Sequence, residues 1–500
     1  MNVIDFLLEN ASPGKTALVT EGGSHSYADI VLAMNGVAQT CVELGVEKGD
    51  RVGIFADNSL FWIASYLGII KAGAVAVPFY PTIAAAQLEH LVELTGCGVF
   101  FMQEKYLRTF GRSLPKEAAI VLDPPDAAAR HAAEHRTAST RPLEHAETTS
   151  VDDPADLAAL MFTSGSTGMP RAVMVTHRNI MANTSSIIAS LALDETERIM
   201  CVLPFCYCFG TSLLHTHLRV NGSLVLNNRF AFPQLVLDQL EATACTGIAG
   251  VPSTYQILLR NSAFPQRRFS HLRKMQQAGG KLPDVFIQEL RAAQPHARYF
   301  LMYGQTEATA RLSCLSPEEL DQKLGSIGRG IPGVKLEVLD KEGRPVPVGE
   351  TGEIVASGEN ITRGYYLDPQ ATADTFKGGA LWTGDIARMD EDGYIFVVDR
   401  LKDFLKPSGH RIASKQIEDV IVQLPDIVEA AVIGTPDDVL GEAAKAFVVL
   451  CRGSTLDAAG VLQHCKARLP QYALPREVVM LKTMPKNASG KLDKLSLKRL

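Results

Sequence analysis

Along the first 400 residues, short β-rich apolar runs alternate with stretches of helical pattern, and this alternation constrains the fold most. Val52–Ala56 reads as a buried strand. Asn58 then offers an N-cap to a helix from about Ser59 to Lys71, which Gly73 stops. Ala74–Phe79 reads as the next strand. The order returns at Leu157–Phe162 then His177–Ala192, at Gly247–Gly250 then Ser253–Asn261, and at Arg298–Tyr303. Strands and helices in turn predict a layered α/β unit with largely parallel sheets.

Between Pro124 and Pro154 the pattern lapses into Ala, His, Glu, Thr and Pro, which predicts a surface connection. From Leu324 to Arg400 short strands and tight turns follow one another, as in Leu336–Leu339, Asp340–Gly343 and Gly352–Ser357, so a small β-rich subdomain is expected there. After Arg400 a helix near 414–424, strands at Val428–Gly434 and Lys445–Leu450 and a helix near 456–469 describe a compact α+β unit.

The chain has 500 residues, too many for one core. Its 46% hydrophobic and 21% charged content excludes disordered, collagen-like and coiled-coil classes. With 49 basic against 55 acidic residues, net charge −6, there is no broad footprint for nucleic acid. The nine cysteines are scattered and predict reduced thiols; Cys206-x-Cys208 lacks the spacing of a zinc site. The N-terminus shows no basic-then-apolar leader and no apolar run is clean enough to span a membrane, so a cytoplasmic protein is expected.

Five segments carry chemistry. Thr163-Ser164-Gly165-Ser166-Thr167-Gly168 follows a strand, with Arg171 three residues on; glycines that free backbone N–H groups, hydroxyls and one cation make a cradle for polyphosphate. The Walker spacing is absent, and Gly328-Arg-Gly-Ile-Pro-Gly333 is not a dinucleotide fingerprint, because Pro332 and a strand follow it. Tyr303-Gly304-Gln305-Thr306-Glu307 sits at a strand's C-terminal end, where α/β sheets bind ligands; an aromatic ring suits a base and a carboxylate suits Mg²⁺. Thr383-Gly384-Asp385 offers a carboxylate that would hold ribose hydroxyls or serve as a turn-former. Asp399–Asp403, Lys406–Arg411 and Gln416–Glu418 alternate charges at the junction, as a solvated linker would. Pro485–Asp493 puts Gly490 before Lys491 in a basic tail, which is either frayed or able to send one ammonium into a cleft.

With all five in this order, the sequence resembles the acyl-adenylate-forming superfamily of acyl- and aryl-CoA synthetases, peptide-synthetase adenylation domains and luciferases, from about Ser26 to Leu492. The resemblance implies a large N-terminal domain over 1–399 (β-rich part 324–399), a hinge at 400–402 with Lys402, and a small mobile α+β lid over 403–500. It implies ATP, Mg²⁺ and CoA, a small-molecule carboxylic acid, and a monomer or homodimer. By it Thr163–Gly168 and Arg171 grip the β- and γ-phosphates, and Gly279, Gly280 and Lys281 line the adenine and acyl pockets. Tyr303 and Gly304 meet adenine, Thr306 the α-phosphate, and Glu307 the Mg²⁺. Asp385 and Arg400 hold ribose, Gly409, His410 and Arg411 serve the second half-reaction as the thiol channel, and Lys491 meets the reacting carboxylate.

The chain departs from the family pattern at Arg171, where Lys is usual, and at Tyr207, where many CoA ligases have His. No Asp stands near Tyr207 to pair an amino-acid ammonium. Phe205, Tyr207, Val251, Ser253, Ala308 and Arg311 match pocket-lining stretches; Arg311 would pair with a second polar group of the substrate or sit in a salt bridge. His215-Thr-His217 alternates like a strand face. The expected reaction is formation of acyl-AMP with release of pyrophosphate, then transfer to CoA. The alternatives are the phosphopantetheine of a stand-alone carrier protein, an unusual oxyanion passed to an amine, or a silent nucleotide-binding member.

Overall fold

The computed structural model describes residues 1–123, 143–163, 169–398, 404–405, 407, 412–437, 441–486 and 492–500, and the backbone alone of 136–138 and 399–400. Among these, two large sheets carry the N-terminal part. A seven-stranded sheet runs Arg136–Ala138, Ala119–Asp123, Val99–Gln103, Arg51–Phe55, Val75–Pro78, Leu157–Thr163, Arg171–Thr176, parallel except for the last pair. A nine-stranded sheet runs Arg329–Gly330, Ser313–Leu315, Arg298–Tyr303, Lys274–Gln277, Gly247–Gly250, Arg198–Cys201, Ser223–Leu226, Thr16–Thr20, Gly23–Ser26, parallel in the middle and antiparallel at both ends. The expected layered α/β architecture is therefore what forms.

The helix Leu60–Lys71 shows why. Its sequence is apolar on nearly every side, so it is stable only as an inner layer. Trp62, Tyr66, Leu67 and Ile70 are fully or almost fully buried, each contributing about 2–3 kcal/mol of burial. Gly68 lets it approach the helix Tyr27–Glu43; a Cβ there would lie 2.6 Å from the Met34 carbonyl oxygen. The N-cap is Ser59, whose hydroxyl accepts from Trp62 N at 3.1 Å, and not Asn58. Asn58 instead bridges a loop, donating to Leu203 O and accepting from Phe205 N, both at 2.8 Å.

Three further expectations are corrected. The stretch 124–154 carries a short edge strand, Arg136–Ala138, parallel to Ala119–Asp123. His215 and His217 lie in the helix Cys208–Arg219, not on a strand. Glu418, read as part of a solvated junction, is 4% exposed on the helix Ser414–Ile421. It accepts from Val432 N at 2.9 Å and pairs with Lys415 and with Lys494 of the basic tail. The tail is thereby anchored, with Leu497 buried in its last short helix.

The β-rich part is a five-stranded sheet of Lys335–Leu339, Thr351–Ser357, Ala380–Met389 and Phe376–Lys377, with Ile395–Arg400 paired on Ala380–Met389. C-terminal to it, Ile427–Asp437, Gly441–Leu450 and Glu477–Leu481 form a three-stranded sheet under the helices Ser414–Ile421 and Ala458–Lys466. The helix Pro252–Asn261 packs on strand Ile427–Asp437 through Ile257, so the C-terminal sheet rests on the larger unit. Among the described residues no helix is long and apolar enough to cross a membrane.

Candidate active site

The phosphate-cradle segment lies in sequence between two antiparallel strands. Thr163 ends one, Arg171 begins the next, and the two are register partners. Ser164, Gly165, Ser166, Thr167 and Gly168 lie outside the described residues. Arg171 Nε stands 3.3 Å from Asp368 Oδ2, and its guanidinium lies 5.2 Å over the Tyr365 ring. The Tyr365 phenol donates to Glu307 Oε1 at 2.8 Å. Arg171 and Glu307, far apart in sequence, thus flank one tyrosine that the sequence reading missed.

The second segment leaves the C-terminal end of strand Arg298–Tyr303. Only glycine fits at position 304: a Cβ would lie 2.0 Å from the Ala310 carbonyl oxygen. That contact returns the chain so that Leu312 N bonds Tyr303 O at 2.9 Å. The Tyr303 phenol donates to Asp385 Oδ2 at 2.6 Å. Asp385 is buried and faces Arg400 directly across its strand pair; the Arg400 side chain is outside the described residues. Thr306 Oγ1 donates to Cys208 Sγ at 3.4 Å. Glu307 is fixed by its carbonyl, which accepts from Thr362 N at 3.0 Å and Thr362 Oγ1 at 2.9 Å. Thr309 sits at φ 64°, a strained conformation for a β-branched residue, and its hydroxyl is tied to Asn360 O at 2.7 Å.

Gly279 adopts φ 90°, and Gln277 Nε2 donates to Gly280 O at 2.8 Å. Lys281 forms an ion pair with Asp419 of the C-terminal unit at 2.8 Å. Val251 is buried at the N-cap of helix Pro252–Asn261, and Ser253 stands in its first turn. Lys402, Gly409, His410, Arg411 and Lys491 lie outside the described residues.

Beside these strand ends lies a narrow cavity. Cys208, Thr309 and Ala310 line it, together with Tyr66, Met161, Asn183, Thr184, Ser212 and His215. The last group comes from three helices and one strand, with no linear motif to announce it. His215 Nε2 is 3.1 Å from the Tyr66 hydroxyl; burial pushes this imidazole down to about 3, so it is neutral. Two residues expected in a pocket wall are buried in hydrophobic clusters. Phe205 packs on Trp62 with ring centroids 5.2 Å apart, and Ala308 is buried with Leu312, Ala356 and Leu381. Tyr207 stacks on Tyr80 at 5.8 Å, and burial raises its phenol far above the ordinary value. Arg311 is 2% exposed with no salt bridge among the described residues.

Residues 9–366 match the family model of the AMP-binding enzymes, and residues 416–491 match that of the AMP-binding enzyme C-terminal domain. The chain belongs to the AMP-binding enzyme family. A feruloyl-CoA synthase of Amycolatopsis sp. is 31% identical over 98% of this chain and 96% of its own length. A long-chain-fatty-acid–CoA ligase of Escherichia coli O6:H1 is 31% identical over 91% and 86%. Among solved structures, the anthranilate CoA ligase AuaEII with anthranoyl-AMP superposes with a TM-score of 0.90 at 26% identity, covering 100% of this chain and 97% of that one. The o-succinylbenzoate CoA synthetase of Bacillus subtilis with ATP and magnesium ion superposes at 0.85, with 26% identity and 99% of each chain covered. This AMP-binding enzyme is thus an acyl-adenylate-forming, acyl-CoA-synthetase-like ligase.

Proposed function

We propose that this enzyme activates an acyl or aryl carboxylic acid with ATP, forming acyl-AMP and pyrophosphate, and then passes the acyl group to the thiol of CoA. The observation that carries the reading is the meeting of Tyr303 with Asp385 beside the Arg171–Tyr365–Glu307 group. A ring for a base, a carboxylate for a ribose and a cation and carboxylate for a metal-bound triphosphate stand together at strand ends. The named activities of the relatives, acyl- and aryl-CoA ligation, support the same reaction class.

A free carboxylate has no usable leaving group; attack of its oxygen on the α-phosphorus creates one. Two anions must meet, so the site has to supply positive charge. Thr163–Gly168 and Arg171 bind and orient the β- and γ-phosphates, Thr306 holds the α-phosphate, and Lys491 stands between that phosphate and the incoming carboxylate. Glu307 would hold Mg²⁺. It is held by Thr362 and Tyr365, and a lone carboxylate suits an ion that keeps waters and takes phosphate oxygens; when bound, the ion offsets the triphosphate charge. Tyr303, Asp385 and Arg400 orient the nucleoside, and the cavity lined by Cys208, Thr309 and Ala310 takes the organic part of the acid. In this reading 1–399 is the large lobe and 403–500 the lid. Rotation at Lys402 brings Gly409, His410 and Arg411 to the thiol channel for the second step.

The test is ATP–pyrophosphate exchange with Mg²⁺ and a panel of aliphatic, cinnamic and benzoic acids, followed by mass spectrometry of products formed with CoA. Exchange with at least one acid is expected, and Lys491→Ala lowers it roughly 10²–10³-fold. No exchange with any acid, and no difference in Lys491→Ala, would refute the proposal. Exchange without an acyl-CoA product would redirect it to a carrier thiol or an amine.

A further inference from the structure

Arg311 is a buried cation whose own backbone is firmly held while its head group is not. Asn183 accepts from Arg311 N at 3.1 Å and donates to Arg311 O at 2.9 Å, and Asn360 donates to the same carbonyl at 2.9 Å. The guanidinium lies 4.8 Å over the face of Phe209. Among the described residues no carboxylate meets it; the titratable groups that bear on it are the thiols of Cys208 and Cys314. Its Nε is out of solvent and has no hydrogen-bond partner among the described residues. Burial draws the group down only to about 10, so it remains charged at neutral pH.

A dry guanidinium without a counter-ion is costly, and a chain that keeps one pinned there is complete only when an anion arrives. The adjoining residues face the cavity: Ala310, Asn183 and Cys208 all line it. Cys208 also accepts from Thr306 at 3.4 Å, which ties this wall of the cavity to the strand end that carries Thr306 and Glu307. Arg presents a planar fork of N–H donors that matches a carboxylate.

We propose that Arg311 recognises a second carboxylate on the acid, separated from the reacting carboxylate by a short spacer. The proposal rests on the reading of this cavity as the acid pocket, and it narrows the substrate class to short or ortho-substituted diacids. Thr309, held at φ 64° by Asn360, sets the turn that carries Ala310 and Arg311 to this place.

The test compares succinate, glutarate and phthalate with butyrate, pentanoate and benzoate in the full-length wild type, Arg311→Met and Arg311→Lys. In ATP–pyrophosphate exchange at least one diacid should exceed its matched monoacid by 10-fold or more in kcat/KM, on the order expected for a charged hydrogen-bonded partner. Arg311→Met should lower that diacid-over-monoacid ratio roughly 10²-fold, and Arg311→Lys should restore part of it. Preference for the monoacid in every pair, or an unchanged ratio in Arg311→Met, overturns the proposal. Should no acid support exchange, the adenylation reading fails separately and thermal shift decides this one. A diacid that raises the wild-type Tm by at least about 2 °C, but not that of Arg311→Met, upholds it, and absence of any diacid shift overturns it.

Discussion

The phenol of Tyr303 donates to Oδ2 of Asp385 at 2.6 Å, joining the end of a central strand of the nine-stranded sheet to the ten-residue strand of the β-rich part. The two residues are 82 apart in sequence, yet one hydrogen bond places a flat ring edge to edge with a buried carboxylate. Tyr303→Phe keeps the ring and removes the donor, so Asp385 loses its fixed orientation. The KM for ATP in pyrophosphate exchange should rise roughly 10-fold, as for one hydrogen bond to a charged group, with kcat changed little. An unaltered KM would show that the bond does not orient the nucleoside site.

Glu307 is positioned from both ends, its carbonyl by Thr362 and its carboxylate by Tyr365. Glu307→Gln preserves shape and still accepts from Tyr365, but it removes the charge. kcat/KM should fall about 10²–10³-fold, and the Mg²⁺ concentration giving half-maximal rate should rise. A Mg²⁺ titration of both proteins checks this; an identical Mg²⁺ dependence would assign Glu307 a purely structural role.

Strands whose signals are local were legible in the sequence: Gly247–Gly250 and Arg298–Tyr303 fall where their apolar runs end. The motifs at strand ends were legible for the same reason, since glycines and hydroxyls cluster within a few residues there. The helix Cys208–Arg219 was not, because Gly210–Leu218 is buried without a break and a helix wrapped on all sides has no polar face to reveal its period. Asn58 and Ser59 are equally good caps by type, and only the distant Leu203–Phe205 loop decides between them. Glu418 looked like a surface charge because its partners, Lys494 and the Val432 amide, lie far along the chain. The cavity was hidden for a related reason: Tyr66, Asn183 and His215 come from separate helices and meet only after packing.

A buried ion pair beneath the nine-stranded sheet offers a stability prediction. Lys274 bonds Glu197 and also donates to Ala192 O at 2.7 Å, while Thr246 donates to Glu197 at 2.9 Å. Both charges are nearly dry, at 9% and 3% side-chain exposure. Glu197→Gln strands the ammonium and should cost about 3–5 kcal/mol, seen as a lower urea midpoint. The double variant Glu197→Gln, Lys274→Met should recover most of that loss. A double variant no more stable than the single one would mean that the pair stabilises the fold beyond the cost of drying it.

Three buried histidines set how the fold responds to acid. His177 accepts the Val3 amide at Nδ1 at 3.1 Å, His215 meets the Tyr66 hydroxyl, and His217 uses Nδ1 on the Leu213 carbonyl at 2.8 Å. Burial pushes them down to about 4, 3 and 4, below the ordinary value of 6.5. Below pH 6.5 the unfolded chain takes up protons that the native state excludes, so stability falls as pH drops from 6.5 toward 4. With three such groups the slope approaches about 4 kcal/mol per pH unit, against no contribution above pH 7.5. Urea midpoints measured at pH 7.5, 6.5 and 5.5 should therefore fall modestly across the first step, by about 1 kcal/mol in stability, and about three times as far across the second. His215→Gln should remove about one third of the slope, because its neutral amide has no proton to gain. A midpoint that stays level down to pH 5.5 would show that these imidazoles titrate in the native state.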